Sequence, residues 1–255
     1  MVGYVYAVTT VETTHAQPPT PPPRRRWPFG YVLAAGLLAL VVLGFVVAIA
    51  RAGNHPAHAI SATLDGRHAA RLEVVSGVPS VSVHSGDIGD DLYRISTPDG
   101  SGAVPRVADQ DGALSLSLTG GPASSVDIVL NPTVAWQLRL AGGAGAARLD
   151  LRATQVSAVD IASGVSTVEL WLPSPHGRVD VRETGGVNAF AIHTPAGVPA
   201  RLTVTGGAGS VVIDGAAHDG VGAGQVYTPD SWDGATDRYD IDCVGGVSRV
   251  SIDRY

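Results

Sequence analysis

The sequence predicts an all-β protein: a β-solenoid of stacked rungs about 21 residues long, with Gly-Gly corners, preceded by one transmembrane helix. Three observations carry this. A glycine phrase recurs with its second glycine at positions 143, 164, 186 and 207, a period of 21 or 22 residues. Short runs flanking each phrase alternate apolar and polar residues at period two, the signature of strands with one buried face. One run near the N-terminus, residues 29–50, is 22 residues long and carries no charge.

Taken in order, residues 1–28 form a Pro- and Arg-rich tail, with Pro-Pro-Thr-Pro-Pro-Pro over 18–23 and three arginines at 24–26. Such composition favours extended, unfolded chain. Residues 29–50 are long enough to cross the roughly 30 Å hydrocarbon core at about 1.5 Å per residue. Trp27 and Tyr31 stand at the entry interface, and Arg24, Arg25 and Arg26 outweigh Arg51 on the far side. The positive-inside rule then predicts a single-pass bacterial plasma-membrane protein, N-terminus cytoplasmic and C-terminal domain extracytoplasmic. Ala48-Ile49-Ala50 also fits a signal-peptide cleavage site, but the apolar run exceeds the usual length of such segments. Residues 51–62 read as a linker and 63–255 as the extracytoplasmic β-repeat domain.

Within that domain the phrase reads Gly142-Gly143-Ala144, Ser163-Gly164-Val165, Gly185-Gly186-Val187, Gly206-Gly207-Ala208 and Gly245-Gly246-Val247. Ser76-Gly77-Val78 is a fainter copy, 66 residues before Gly143. The strands expected before the glycines are Leu138–Leu140, Val159–Ile161, Val179–Val181, Leu202–Val204 and Tyr239–Ile241. Those expected after them are Ala147–Leu151, Val168–Leu172, Phe190–Ile192, Val211–Ile213 and Val250–Ile252. The glycines are expected at corners where positive φ is required. A β-sandwich with coincidental spacing is the competing architecture. The less regular half from Ile60 to Leu130 is expected to cap the stack, and residues 216–238 to protrude as a loop carrying Trp232.

Composition narrows the chemistry. The chain has no lysine, which excludes a Walker-type loop, a Schiff-base lysine and a Ser-x-x-Lys nucleophile. Cys243 is alone, so there is no intramolecular disulfide and no Cys-x-x-Cys site. The eight histidines are scattered, with no His-Glu-x-x-His and no Gly-x-Ser-x-Gly. Beyond Arg51 the chain holds 22 acidic residues against 13 arginines, which argues against nucleic acid as a partner. No cofactor and no metal site are expected. Asp160 and Asp180 fall in an outward column read as Arg139, Asp160, Asp180, Thr203, Asp240; a Ca²⁺ site there is weighed against a plain solvated face. Asp150, Trp171, His193, Asp214 and Asp253 form the second outward column. Asp160, Asp180, Trp171, His193 and Trp232 are the candidate interaction surface, with no catalytic set among them.

The phrase from Leu138 to Ile252 behind a single span resembles the bacterial putative-adhesin or toast-rack β-repeat proteins, from Leu72 onward. Related domains form the extracytoplasmic ends of some cell-envelope stress regulators. The resemblance implies a surface-exposed, non-enzymatic module, and the first reading is a membrane-anchored envelope protein whose solenoid binds a protein or cell-wall component in envelope stress sensing. A structural or adhesive protein acting by self-association is the alternative, and a wall-glycan enzyme built on Asp160, Asp180 and Arg182 the third.

Overall fold

The computed structural model describes residues 58–255. The expected tail over 1–28, the membrane helix over 29–50 and all but the end of the 51–62 linker lie outside the described residues. No helix among those described is long and apolar enough to cross a membrane. The described chain is all-β.

Its strands run in chain order. The first half holds β1 (Ala59–Thr63), β2 (Ala69–Val74), β3 (Val78–Ser85), β4 (Asp91–Ser96), β5 (Ala103–Gln110), β6 (Ala113–Gly120), β7 (Ser125–Leu130), β8 (Ala135–Leu140) and β9 (Ala144–Asp150). The second holds β10 (Gln155–Ile161), β11 (Val165–Trp171), β12 (Arg178–Glu183), β13 (Val187–Thr194), β14 (Ala200–Val204), β15 (Ala208–Ile213), β16 (Ala216–Val221), β17 (Gln225–Tyr227), β18 (Arg238–Cys243) and β19 (Val247–Arg254). They form a ten-stranded sheet, β1-β4-β7-β3-β9-β11-β13-β19-β15-β16, and a nine-stranded sheet, β17-β14-β18-β12-β10-β8-β2-β6-β5.

A glycine corner carries the chain from one sheet to the other, so β8–β9, β10–β11 and β12–β13 are two-strand rungs, as the repeat predicts. Neighbouring rungs pair parallel, and their inward residues stack in columns. Leu72, Leu138, Val159, Val181, Ile241 and Leu202 stand opposite one another through the nine-stranded sheet. Val83, Leu149, Leu170, Ile192, Ile252 and Ile213 do the same in the ten-stranded sheet. The two inner faces share one hydrophobic core. Each fully buried Leu or Ile contributes about 1.5–3 kcal/mol, and the columns repeat that gain at every rung. Two large side chains with polar ends are buried whole, each with a partner: Trp136 Nε1 donates to the Asn131 carbonyl at 3.0 Å, and Tyr239 Oη to the Pro173 carbonyl at 2.6 Å.

Two rungs depart from chain order. The early rung β2–β3 lies between β6–β7 and β8–β9. The last rung, β18–β19, lies between β12–β13 and β14–β15. The outermost strands are antiparallel: β1 and β4 at one end of the ten-stranded sheet, β5 beside β6, and β16 and β17 at the far end. The first half therefore caps the stack, as expected. Residues 216–238 do not protrude as a loop. Their first part pairs as β16 and β17 with the edges of β15 and β14, because the open ends of a parallel stack leave backbone groups that need partners.

The glycine corners also differ from expectation. Positive φ occurs at Gly186 and Gly207 but not at Gly143, Gly164 or Gly246. Where the first position of the phrase is glycine, it is so chiefly for space. A Cβ at Gly142 would overlap the Ser76 backbone, and one at Gly185 the Ser163 carbonyl group. Serine and glycine thus alternate along this part of the corner column, serine backbone packed against glycine.

Candidate binding faces

The outer face of the ten-stranded sheet gathers Asp150, Trp171, His193 and Asp253 on four successive strands, directly opposite one another. Period-two alternation places them outward, and the parallel register makes them a row. His193 stacks on the Trp171 indole with ring centroids 3.9 Å apart and planes 21° apart. Tyr255 lies tilted beside the same indole at 5.6 Å. The Arg152 guanidinium sits 4.7 Å from the Trp171 ring and 5.9 Å from the Tyr255 ring, within cation–π range.

Carboxylates rim this cluster. Arg152 grips Asp150 through two hydrogen bonds, 2.8 and 2.5 Å. Trp171 Nε1 donates to Glu169, which also receives Arg148 at 2.6 Å. His193 Nδ1 lies 2.5 Å from Asp253. The Arg152 hydrogen bonds hold the Asp150 carboxyl below its usual range, whereas burial pushes the Tyr255 phenol up. Beside the cluster a depression of about 560 Å³ is lined by Ser82, His84, Arg148, Asp150 and Arg152 among others. Trp171 and His193, singled out from sequence, are therefore neighbours. Arg152 and Tyr255 were missed, because one follows a strand and the other ends the chain, outside the alternating pattern.

The column expected before the glycines is corrected by the register. Asp160 stands opposite Arg139 and Arg182, and Asp180 opposite Ala158 and Asp240. The column is thus Glu73, Arg139, Asp160, Arg182, Asp242, with charges alternating in sign. Arg139 donates to both Glu73, at 3.1 Å, and Asp160. Asp180, 61% exposed, pairs with Arg178 at 2.9 Å; Asp240 receives Arg178 and a two-pronged Arg201. Opposite charges on neighbouring strands attract, so arginine relieves the carboxylate repulsion that a cation would otherwise have to relieve. Among the described residues no cluster of three or more His, Cys, Asp or Glu is arranged to hold a metal ion.

The column slips on β12, at Asp180, and on β18, at Asp240; on β12 the slip traces to Glu183. It is 0% exposed and occupies the inward position held by Ile161 and Cys243 in the flanking strands. A sequence pattern counts it as outward, and the column slips by two residues. Its Oε1 accepts the Gly186 amide at 2.5 Å, while Oε2 has no hydrogen-bond partner among the described residues. Burial raises its pKa, opposed by the amides of Gly186, Gly185 and Gly245, and the Asp242 charge adds to the rise. Cys243, directly opposite, is a buried thiol pushed up to about 12, chiefly by burial.

Trp232 is not on the surface. It is 5% exposed, with the Arg201 guanidinium 4.4 Å from its ring and that of Arg238 at 4.7 Å. Arg238 also donates to the Trp232 and Ala235 carbonyls, closing the 228–237 segment over the indole. Trp232 thus orients Arg201 toward Asp240.

Residues 102–193, from β5 to the end of β13, match the model of the N-terminal domain of toast_rack, DUF2154. The match contains Trp171, His193, Asp160 and Asp180. The crystal structure of a putative cell adhesion protein from Clostridium sporogenes is similar, with a TM-score of 0.59 at 16% identity, over 77% of this chain and 99% of that one. A putative adhesin from Parabacteroides merdae gives 0.28 at 12% identity, over 61% and 72% of the two chains. One from Bacteroides fragilis gives 0.26 at 11%, over 77% and 97%. No curated protein matches the chain.

Proposed function

We propose that this chain, whose residues 102–193 match the N-terminal domain of toast_rack, is a non-enzymatic binding module of the toast-rack, putative-adhesin kind, held at the bacterial plasma membrane by residues 29–50 and projecting its β-repeat domain outside the cell. It binds an envelope protein or cell-wall component, with a role in envelope stress sensing. The observation that supports binding is the Trp171, His193, Tyr255 and Arg152 cluster on an open sheet face, edged by carboxylates. Aromatic and arginine side chains dominate recognition surfaces because they offer large contact area at little conformational cost. The charge-neutral span and the arginines before it support the membrane anchor.

The test is in-cell crosslinking and capture with the full-length chain, with and without a cell-wall antibiotic. The wild-type chain is expected to capture a membrane regulator or wall fragment, and Trp171→Ala combined with Arg152→Ala to lose at least about tenfold of it, the size of one hot-spot residue. Equal capture by a variant that still folds counts against this face.

A further inference from the structure

The far end of the stack is left open. In β16 the residues Ala216 and His218 lie opposite Ile213 and Val211 and face the core side of the sheet, yet both are exposed. The inward positions of β19 and β13, two and three strands further in, are buried. The result is a recess of about 270 Å³ between the two capping strands, lined by apolar Ala200, Ile213, Tyr227 and Pro229. His218, Asp214 and Arg254 also line it, and the His218 and Tyr227 rings are in tilted contact, centroids 5.0 Å apart.

The same strand is an open edge, its one charge being Asp219. Among the described residues β16 pairs only with β15, so alternate residues turn their N–H and C=O groups outward. The other outer strands carry a defence: β5 holds Pro105 and Arg106, β17 has three residues and β1 five. β16 has six residues and neither proline nor arginine. Of the aspartates in the surrounding segment 214–237, Asp214 pairs with Arg254 at 3.1 Å and Asp237 accepts the Gly177 amide at 2.6 Å, which leaves Asp219 and Asp230 nearest the edge and the recess. Asp219 and Asp230 form no ion pair among the described residues.

We infer that β16 and this recess are a docking site for an extended, basic peptide segment of another protein, which adds a strand to the sheet and inserts one apolar side chain into the recess. Strand addition draws affinity from main-chain hydrogen bonds and specificity from a pocket for an alternate side chain, and both parts adjoin here. The acidic surroundings select the occupant. A second copy pairing β16 against β16 would bring two sets of aspartates together, whereas a segment with arginine or lysine beside its apolar anchor neutralises them. The row of Asp150, Trp171, His193 and Asp253 ends on β19, one strand short of β15, and lies on the outer face of the sheet, whereas the recess opens on its core side.

The experiment measures fluorescence anisotropy of a labelled hexapeptide, alternating arginine and valine with one valine replaced by phenylalanine, on the full-length chain. Binding should be saturable and weaken with salt, and a glutamate-for-arginine peptide should bind at least about tenfold more weakly. His218→Trp, which fills the recess, and Asp219→Arg, which reverses the edge charge, should each weaken binding at least about fivefold with unchanged melting temperature. Absence of saturable binding, equal binding of the acidic peptide, or indifference to both substitutions overturns the proposal. Concentration-dependent dimerisation that Asp219→Arg abolishes overturns it in favour of a second copy.

Discussion

Glu183 occupies an inward position in the register of the charged columns and is a costly side chain to bury. An ionised carboxylate at 0% exposure with one oxygen unpartnered is disfavoured by burial, and the Gly186 amide compensates only in part. Its folded-state pKa therefore lies above the ordinary 4.5. The folded state holds a proton that the unfolded chain has already released, so between 4.5 and the raised value stability falls as pH rises. Glu183→Gln keeps an acceptor for Gly186 and removes the titration. Thermal melts of both proteins from pH 8 to pH 4.5 are expected to show wild type gaining on the variant as pH falls. A constant difference across that range means that Glu183 does not titrate in the folded state. A pattern of apolar and polar letters cannot reveal this residue: its inward position follows from the Gly186 register, which is in the sequence, but its letter argues the opposite.

The corner is the element on which the repeat depends, and its glycines were visible long before their reason. Counting along the chain finds the phrase; it cannot find that the first glycine lies against the backbone of the rung beside it. At Gly185 a methyl group would meet the Ser163 carbonyl, which is main chain on both sides and has no rotamer to yield. At Gly246 a methyl group meets nothing within 4 Å, and φ is not positive. Gly185→Ala is accordingly expected to cost about 3 kcal/mol, the upper range for overpacking. Gly246→Ala should be neutral or stabilise by up to about 1 kcal/mol through the unfolded state. Chemical denaturation of the two variants separates a spatial requirement from a conformational one: equal losses would mean that both corner glycines serve backbone freedom. The strands flanking each corner were legible because alternation survives in every rung except at Glu183. The row of Trp171 and His193 was legible for the same reason, since parallel register carries outward residues into line.

The order of the rungs was not legible at the scale of the whole molecule. Every rung offers similar edges, so the repeat says that rungs stack and leaves open which stands beside which. The chain places its first and last rungs each one step inside an end, hydrogen-bonded on both sides, and closes the ends with antiparallel strands from the intervening segments. A solenoid wound in chain order loses its final rung with little effect on the rest, because stability is a sum over neighbours. Here the final rung is a keystone. Removing residues 238–255 takes β18 from between β12 and β14, and β19 from between β13 and β15. It also removes Cys243 from beside Glu183, Tyr239 from the core, and Asp240 from the arginines that Trp232 supports. The strands β14 and β15 then keep only their antiparallel caps, and two-stranded pieces are marginal in water. Deletion of 238–255 is expected to abolish the cooperative thermal transition and to open 195–237 to limited proteolysis. A truncated chain that still melts cooperatively, shortened by one rung's worth of protected fragment, would mean that β12–β13 and β14–β15 can close the gap and pair directly, as rungs wound in sequence do.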